Sequence, residues 1–232
     1  KALDKAWRQL LFNQHHDAIT GTSGDKPYVD LMIGYRESLR LSTSILNSSL
    51  EFLTSLIDTS GQGIPIVVFN SLNWKSSDLC SVTLPVGSYK IVDRKGNACP
   101  SVSIEKGDKV EVIFRGDNIP PLGYRVFFAV PAIDKKETVR DKGTTIENEF
   151  YRIEVDPAKG GRIRSLVYKG REFVRDGKGM NELVLLKENP DRKEPSWEVF
   201  TTGERISSSE FPAEVKREKN ELYERLIIEG RI

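Results

Sequence analysis

The apolar residues of this chain keep a three-and-four spacing up to about Ile57 and lose it at Thr59–Gly63, "TSGQG". One layer of structure cannot hold both sides of that break, because a 3.6-residue period builds helices and a two-residue period builds strands. On the N-terminal side, Leu3, Trp7, Leu10 and Leu11 predict an amphipathic helix from Ala2 to about Gln14. After the loop "TGTSGD", the stripe Tyr28, Leu31, Tyr35, Leu39, Leu46, Leu50, Leu53 and Leu56 predicts a second, long helix, with Asp25 as its N-cap and Pro27 in its first turn. Two such helices cannot cover both of their apolar faces, so a further helix is expected to complete a three-helix bundle.

Beyond the break, "IPIVVFN", "CSVTLP", "YKIV", "KVEVIF" and "YRVFFAVP" are short β-rich runs separated by Gly, Asn, Asp and Pro. They predict a small β-sandwich. The charged linker "IDKKETVRDKG" leads to "TTIENEFYRIEVD", "GRIRSLVYKG" and "NELVLLKEN", the expected start of a larger, truncated β-sandwich. The expected architecture is therefore an α+β multidomain fragment: a helical hairpin at residues 1–60, a small all-β domain at 61–132 and the second sandwich from 133 to 232. The opening inside a helical pattern and the close on "LIIEGRI" add the expectation that a longer polypeptide surrounds it. Trp7 and Trp74 read as core residues, and "DPAKGG" as a turn with no helix behind it to make a phosphate cradle.

Composition narrows the function. Thirty-five basic and thirty-four acidic residues are interspersed, for a formal charge of +1, which gives no electrostatic footprint for nucleic acid or an anionic membrane. No apolar run approaches the roughly 20 residues of a membrane span. Cys80 and Cys99 are the only cysteines and form no Cys-x-x-Cys pair, so neither a disulfide framework nor a thiolate zinc site is indicated. The scarcity of cysteine tilts the expected compartment toward the cytoplasm.

The chain has two histidines, and they are adjacent: His15 and His16, followed by Asp17. Neighbours on a helix point about 100° apart, so with both residues helical only one imidazole would bind a given metal ion. Zinc needs three or four donors, and with no third histidine the others must come from elsewhere. A His-His-Asp at a helix end can equally cap the backbone and pair charges.

"QHHDAITGT", Gln14 to Thr22, resembles the His-His-Asp signature of class II α-mannosidases, glycoside hydrolase family 38. "IPIVVFNSLNWKSS" resembles that family's first β domain, and "IENEFYRIEVDPAKGGRIRSL" the opening of its large sandwich. The resemblance implies a zinc-dependent retaining enzyme that removes terminal α-mannose from oligosaccharides. It makes His16 a zinc ligand, Asp17 a partner of substrate hydroxyls, and His15 a structural neighbour. It also places the nucleophile and the acid/base, both aspartates, in an N-terminal barrel domain outside this sequence, so the fragment alone is expected to be inactive. Trp197, in the Pro-broken loop "KENPDRKEPSWEVF", resembles a tryptophan near the substrate pocket of prokaryotic-type relatives, which are cytoplasmic; eukaryotic ones occupy the lysosome or Golgi. Thr20, Gly21 and Thr22 are expected either to bring the backbone close to the site or simply to turn the chain.

Two other classes were weighed. An HD-type metal phosphohydrolase also pairs His with Asp but needs further histidines and an all-helical fold. A non-catalytic carbohydrate-binding or structural sandwich fragment remains the alternative for the β-rich part.

Overall fold

The computed structural model describes residues 1–133, 138–175, 177–191 and 198–232, so Trp197 lies outside the described residues. Helices end at Ser55 and strands begin at Ile64, and from there on the described regular structure is β apart from two short 3-10 turns. The loss of helical spacing at Thr59–Gly63 is thus a structural boundary. The chain divides into two compact units, Lys1–Asp58 with Leu186–Arg205, and Thr59–Leu185 with Ile206–Ile232.

The first unit holds α1 (Ala2–Asn13), the single-turn α2 (His16–Ile19) and the long α3 (Asp25–Ser55). Pro27 sits in the first turn of α3 as expected. Asp25 does not cap it: the helix begins at Asp25 itself, after Gly24, whose position offers no side-chain cap. The aspartate still opposes the positive end of the helix dipole from the first turn.

α1 and α3 meet through small and polar side chains. Ala6 is buried, and the Ser38 hydroxyl donates to its carbonyl at 3.0 Å. Gly34 lies so close to α1 that a Cβ there would be 2.4 Å from Gln9 Nε2 and 2.7 Å from Asn13 Nδ2. Asn13 is 1% exposed; its Nδ2 donates to the Leu31 carbonyl at 2.7 Å, and Tyr35 Oη donates to the Asn13 carbonyl at 3.0 Å. At the rim, Glu37 accepts from Lys5 at 3.0 Å and from Arg40 at 2.9 and 3.1 Å. Those two cations hold its carboxyl down to about 2, Arg40 contributing most.

Closing the seam on small residues leaves the large ones outside. Trp7 is 54% exposed, not core as its spacing suggested, because the buried position is its neighbour Ala6, about 100° round the helix. Phe12, Ile33, Leu39 and Phe52 are likewise exposed, so the hairpin by itself leaves apolar faces open, in line with the bundle argument.

In the second unit, β1 (Ile64–Asn70), β2 (Ser76–Pro85), β3 (Tyr89–Asp93), β4 (Ala98–Cys99), β5 (Ser101–Lys106), β6 (Lys109–Ile119) and β7 (Gly123–Pro131) form two antiparallel sheets, ordered β1-β7-β3-β4 and β2-β6-β5. Period-two burial is clear in β6, where Val110, Val112 and Phe114 point inward. They join Ile66, Leu84, Ile91, Phe127 and Ala129 in one core cluster, with Phe114 and Phe127 edge-to-face at 5.2 Å. Cys80 and Cys99 pack against this cluster as free thiols, each pushed up by burial.

Asn70 in "FNSLNW" has a clear structural task. It is buried, its Nδ2 faces the carbonyls of Trp74, Ile119 and Pro120 at 2.8 to 3.2 Å, and its Oδ1 accepts from Leu72 N–H. The loop after β1 is thereby fastened to the end of β6. Trp74 contributes its carbonyl to that lock and leaves its ring 60% exposed, a second departure from the core expectation.

The remaining strands are β8 (Val139–Asp141), β9 (Thr145–Glu147), β10 (Tyr151–Asp156), β11 (Arg162–Tyr168), β12 (Arg171–Glu172), β13 (Val184–Glu188), β14 (Thr201–Ser207), β15 (Glu214–Lys219) and β16 (Glu224–Glu229). They form the sheets β12-β11-β10-β9 and β16-β15-β8 and the ribbon β13-β14. Glu218, 7% exposed on β15, accepts from Arg140 at 2.8 Å and Arg225 at 2.7 Å, which hold its carboxyl below the usual range. The "DPAKGG" segment is a capped 3-10 turn, Pro157–Lys159, with Asp156 accepting from Ala158 N–H.

Candidate functional site

The His-His-Asp motif occupies the corner between α1 and α3, and its shape depends on one residue leaving the helix. α1 stops at Asn13, whose buried side chain is held by α3. His15 then takes an extended conformation, φ −53° and ψ 142°, and a new turn, α2, starts at His16. The helical 100° separation no longer applies. The two imidazoles lie side by side and tilted, their centroids 4.2 Å apart and their planes 37° inclined.

Asp17 completes the cluster. Its carboxylate is 3.9 Å from His15 Nδ1 and 3.6 Å from His16 Nε2. One donor atom from each of the three residues falls within 4.8 Å of the others, and among the described residues this is the group of His, Cys and acidic side chains so arranged. Donors bound at about 2.0–2.2 Å to one zinc ion lie no more than about 4 Å apart, so small side-chain rotations suffice. Two imidazoles and a carboxylate are also the donor chemistry zinc takes. The site is open: His16 is 81% exposed, His15 58% and Asp17 38%.

Of the alternative reading, the cap is absent, since His15 makes no side-chain cap hydrogen bond to α2, while the charge pairing with Asp17 is within reach of both imidazoles. The following loop instead grips the backbone of the motif. Thr20 Oγ1 donates to the His16 carbonyl at 2.6 Å, while Thr22 and Ser23 hydroxyls each reach the Asp17 carbonyl at 3.2 Å. Gly21, at φ 74°, makes the reversal that allows this. Beside the cluster, a cleft of about 840 Å³ between α1 and α3 is lined by Leu11, Phe12, Asn13, His15, Ala18 and Leu31. Sequence reasoning missed Asn13 and the extended backbone of His15; no spacing rule announces an extended residue between two helical turns.

Residues 1–53 match the family model described as the α-mannosidase middle domain. The chain is 29% identical over 196 residues to α-mannosidase 2C1 of Homo sapiens, covering 81% of this chain and 16% of the relative. The mouse protein of the same name is 26% identical over 188 residues, and the lysosomal α-mannosidase of Bos taurus 23% over 225 residues, covering 88% of this chain and 21% of the relative. The chain is thus similar to α-mannosidases over most of its length. It spans about a sixth of the length of the 2C1 relatives. The family match covers the segment that carries His15, His16 and Asp17, and the similarity to whole relatives continues into the β-rich part. Among the described residues, no helix of this chain is long and apolar enough to cross a membrane.

Proposed function

We propose that this chain is the part of a zinc-dependent, retaining α-mannosidase that supplies one metal ligand, His16, and one substrate-binding carboxylate, Asp17. The observation that carries this reading is the convergence of the motif's imidazoles and carboxylate in a corner open to solvent. The similarity to α-mannosidases supports the substrate class, terminal non-reducing α-D-mannose of an oligosaccharide. When bound, zinc would supply a Lewis-acid grip on vicinal hydroxyls.

The chain's own residues do the rest of what is assigned here. Asp17 is an acceptor-only group when ionised, suited to the hydroxyls of a sugar held against the corner. The Thr20, Thr22 and Ser23 hydroxyls fix the backbone from which both side chains project, so less ordering is left for substrate binding. His15 lies against His16 as its structural neighbour. The nucleophile and acid/base are assigned to a barrel domain outside this chain. Trp197, also proposed for the sugar, lies among residues without a described position.

The test is turnover of p-nitrophenyl α-D-mannopyranoside by the intact polypeptide. Asp17→Asn keeps the shape and removes the charge, and it lowers kcat/KM roughly 100-fold, the order expected for losing one charged hydrogen bond. Turnover equal to that of the unaltered protein would remove Asp17 from the substrate site.

A further inference from the structure

The second unit contains a cleft unrelated to the histidine corner. Its walls come from two hairpin turns with nearly the same sequence, "NEFY" at Asn148–Tyr151 and "NELY" at Asn220–Tyr223. The two turns are built alike. Asn148 Oδ1 accepts from the backbone N–H of Phe150 and Tyr151 at 2.9 and 2.7 Å, and Asn220 Oδ1 from Leu222 and Tyr223 at 2.9 and 3.0 Å. Each turn closes with an Asn N–H to Tyr carbonyl bond, 2.9 Å in the first and 3.0 Å in the second. The same device thus delivers a tyrosine to each wall of a cavity of about 430 Å³, within the roughly 300–1,000 Å³ of small-molecule sites.

Both rings are held from behind. Tyr151 stacks on Tyr168 with centroids 4.8 Å apart, and the Arg225 guanidinium lies 5.2 Å from the Tyr223 centroid. Tyr151 nevertheless keeps 45% of its surface exposed. Ile146, Ile153 and Leu222 add apolar surface, and the lining carries Lys219 with the three carboxylates Glu147, Glu221 and Glu224. Glu224 pairs with Lys219 at 3.4 Å and Arg217 at 3.5 Å, Glu147 lies 3.8 Å from Arg152, and Glu221 accepts from Ser101 N–H at 2.7 Å.

Aromatic rings beside amide and carboxylate side chains suit a polyol, whose hydroxyls donate to carboxylates and whose ring packs on an aromatic face, better than an anion. We propose that this cleft is a second carbohydrate-binding site, taking one or two hexose units of a mannose-containing oligosaccharide on Tyr151 and Tyr223. The ligand class rests on the mannosidase reading; the site itself rests on the cleft.

The experiment is calorimetric titration of α-mannotriose into the intact polypeptide carrying His16→Ala, which disables the histidine corner. Binding persists in that background, and Tyr151→Leu or Tyr223→Leu weakens it about tenfold or more by replacing a flat ring with an apolar side chain. A thermal midpoint unchanged by the leucine variants shows that the turns are intact; if one of them unfolds the turn, Tyr→Phe at the same position keeps the stacking face and retains binding. No binding in the His16→Ala background, or binding indifferent to both leucine variants, overturns the proposal. Neither result touches the mannosidase reading, which stands or falls on turnover before the His16 change.

Discussion

Gly34→Ala sets two effects of opposite sign against each other inside α3. An interior helical glycine costs about 1 kcal/mol relative to alanine, so on propensity alone the substitution stabilises. The structure opposes that gain. The new methyl would lie 2.4 Å from Gln9 Nε2, 2.7 Å from Asn13 Nδ2 and 3.0 Å from Asn13 Oδ1. Gln9 is a flexible side chain and can swing away at little cost. Asn13 cannot, because it is 1% exposed and its Nδ2 is bonded to the Leu31 carbonyl. Displacing it means overpacking worth about 1–3 kcal/mol and loss of a buried hydrogen bond worth about 1–3 kcal/mol. Against the propensity gain, the net effect is a destabilisation of about 1–5 kcal/mol. Urea unfolding followed by far-ultraviolet circular dichroism at the helix band measures it. The double variant Gly34→Ala/Asn13→Ala should cost less than the sum of the single changes, because the methyl then occupies the space the amide vacates, whereas pairing Gly34→Ala with Gln9→Ala should recover little. A more stable Gly34→Ala protein would refute the close approach of α1 and α3, and with it the account of how the histidine corner is set.

Other consequences are as specific. Asn70→Ala removes a buried amide that serves three carbonyls and one N–H, and should cost about 2–4 kcal/mol in chemical denaturation; a loss under 1 kcal/mol would show that water replaces it. Phe114→Ala, at 0% exposure opposite Phe127, should cost about 3–5 kcal/mol by the same measurement, and a surface-like effect would contradict the cluster as the core. Glu172 is held down to about 2, chiefly by the Ser165 hydroxyl and then by the backbone N–H groups of Val174, Leu166 and Phe173. A carboxyl depressed in the folded state stabilises above its unfolded value of 4.5 and loses that contribution as pH falls toward 2. The thermal midpoint should therefore drop through that window and drop less in Glu172→Gln; parallel curves would exclude the group. The isolated chain, purified free of longer forms, should not hydrolyse p-nitrophenyl α-mannoside, and turnover by it would place catalytic carboxylates within these residues.

The periodicity of the sequence carried the helical and strand regions because each side of Thr59–Gly63 repeats with its own period. It carried less about burial. Trp7 sits one residue from the seam, and the apolar stripe could not show that Ala6, Gly34 and Ser38 make the contact while larger neighbours stay outside. Asp25 looked like a cap because its residue type suits one, yet cap and first-turn positions differ by a single residue. At the site, the motif's residue types and the family resemblance were legible, but the convergence of His15 with His16 was not. It follows from backbone angles at His15 that tertiary packing of Asn13 and the loop hydroxyls impose, and no local propensity encodes them. The paired turns at Asn148 and Asn220 were in plain view as "NEFY" and "NELY", but only the fold shows that they face one cleft.

The central claim is that His16 binds a metal. The most direct measurement is the zinc content of the intact polypeptide after dialysis, for the unaltered protein and for His16→Ala. The account predicts zinc in the first and its loss, or at least a 100-fold weaker hold, in the second. Equal zinc in both would take His16 out of the coordination sphere and leave the histidine corner without its assigned role.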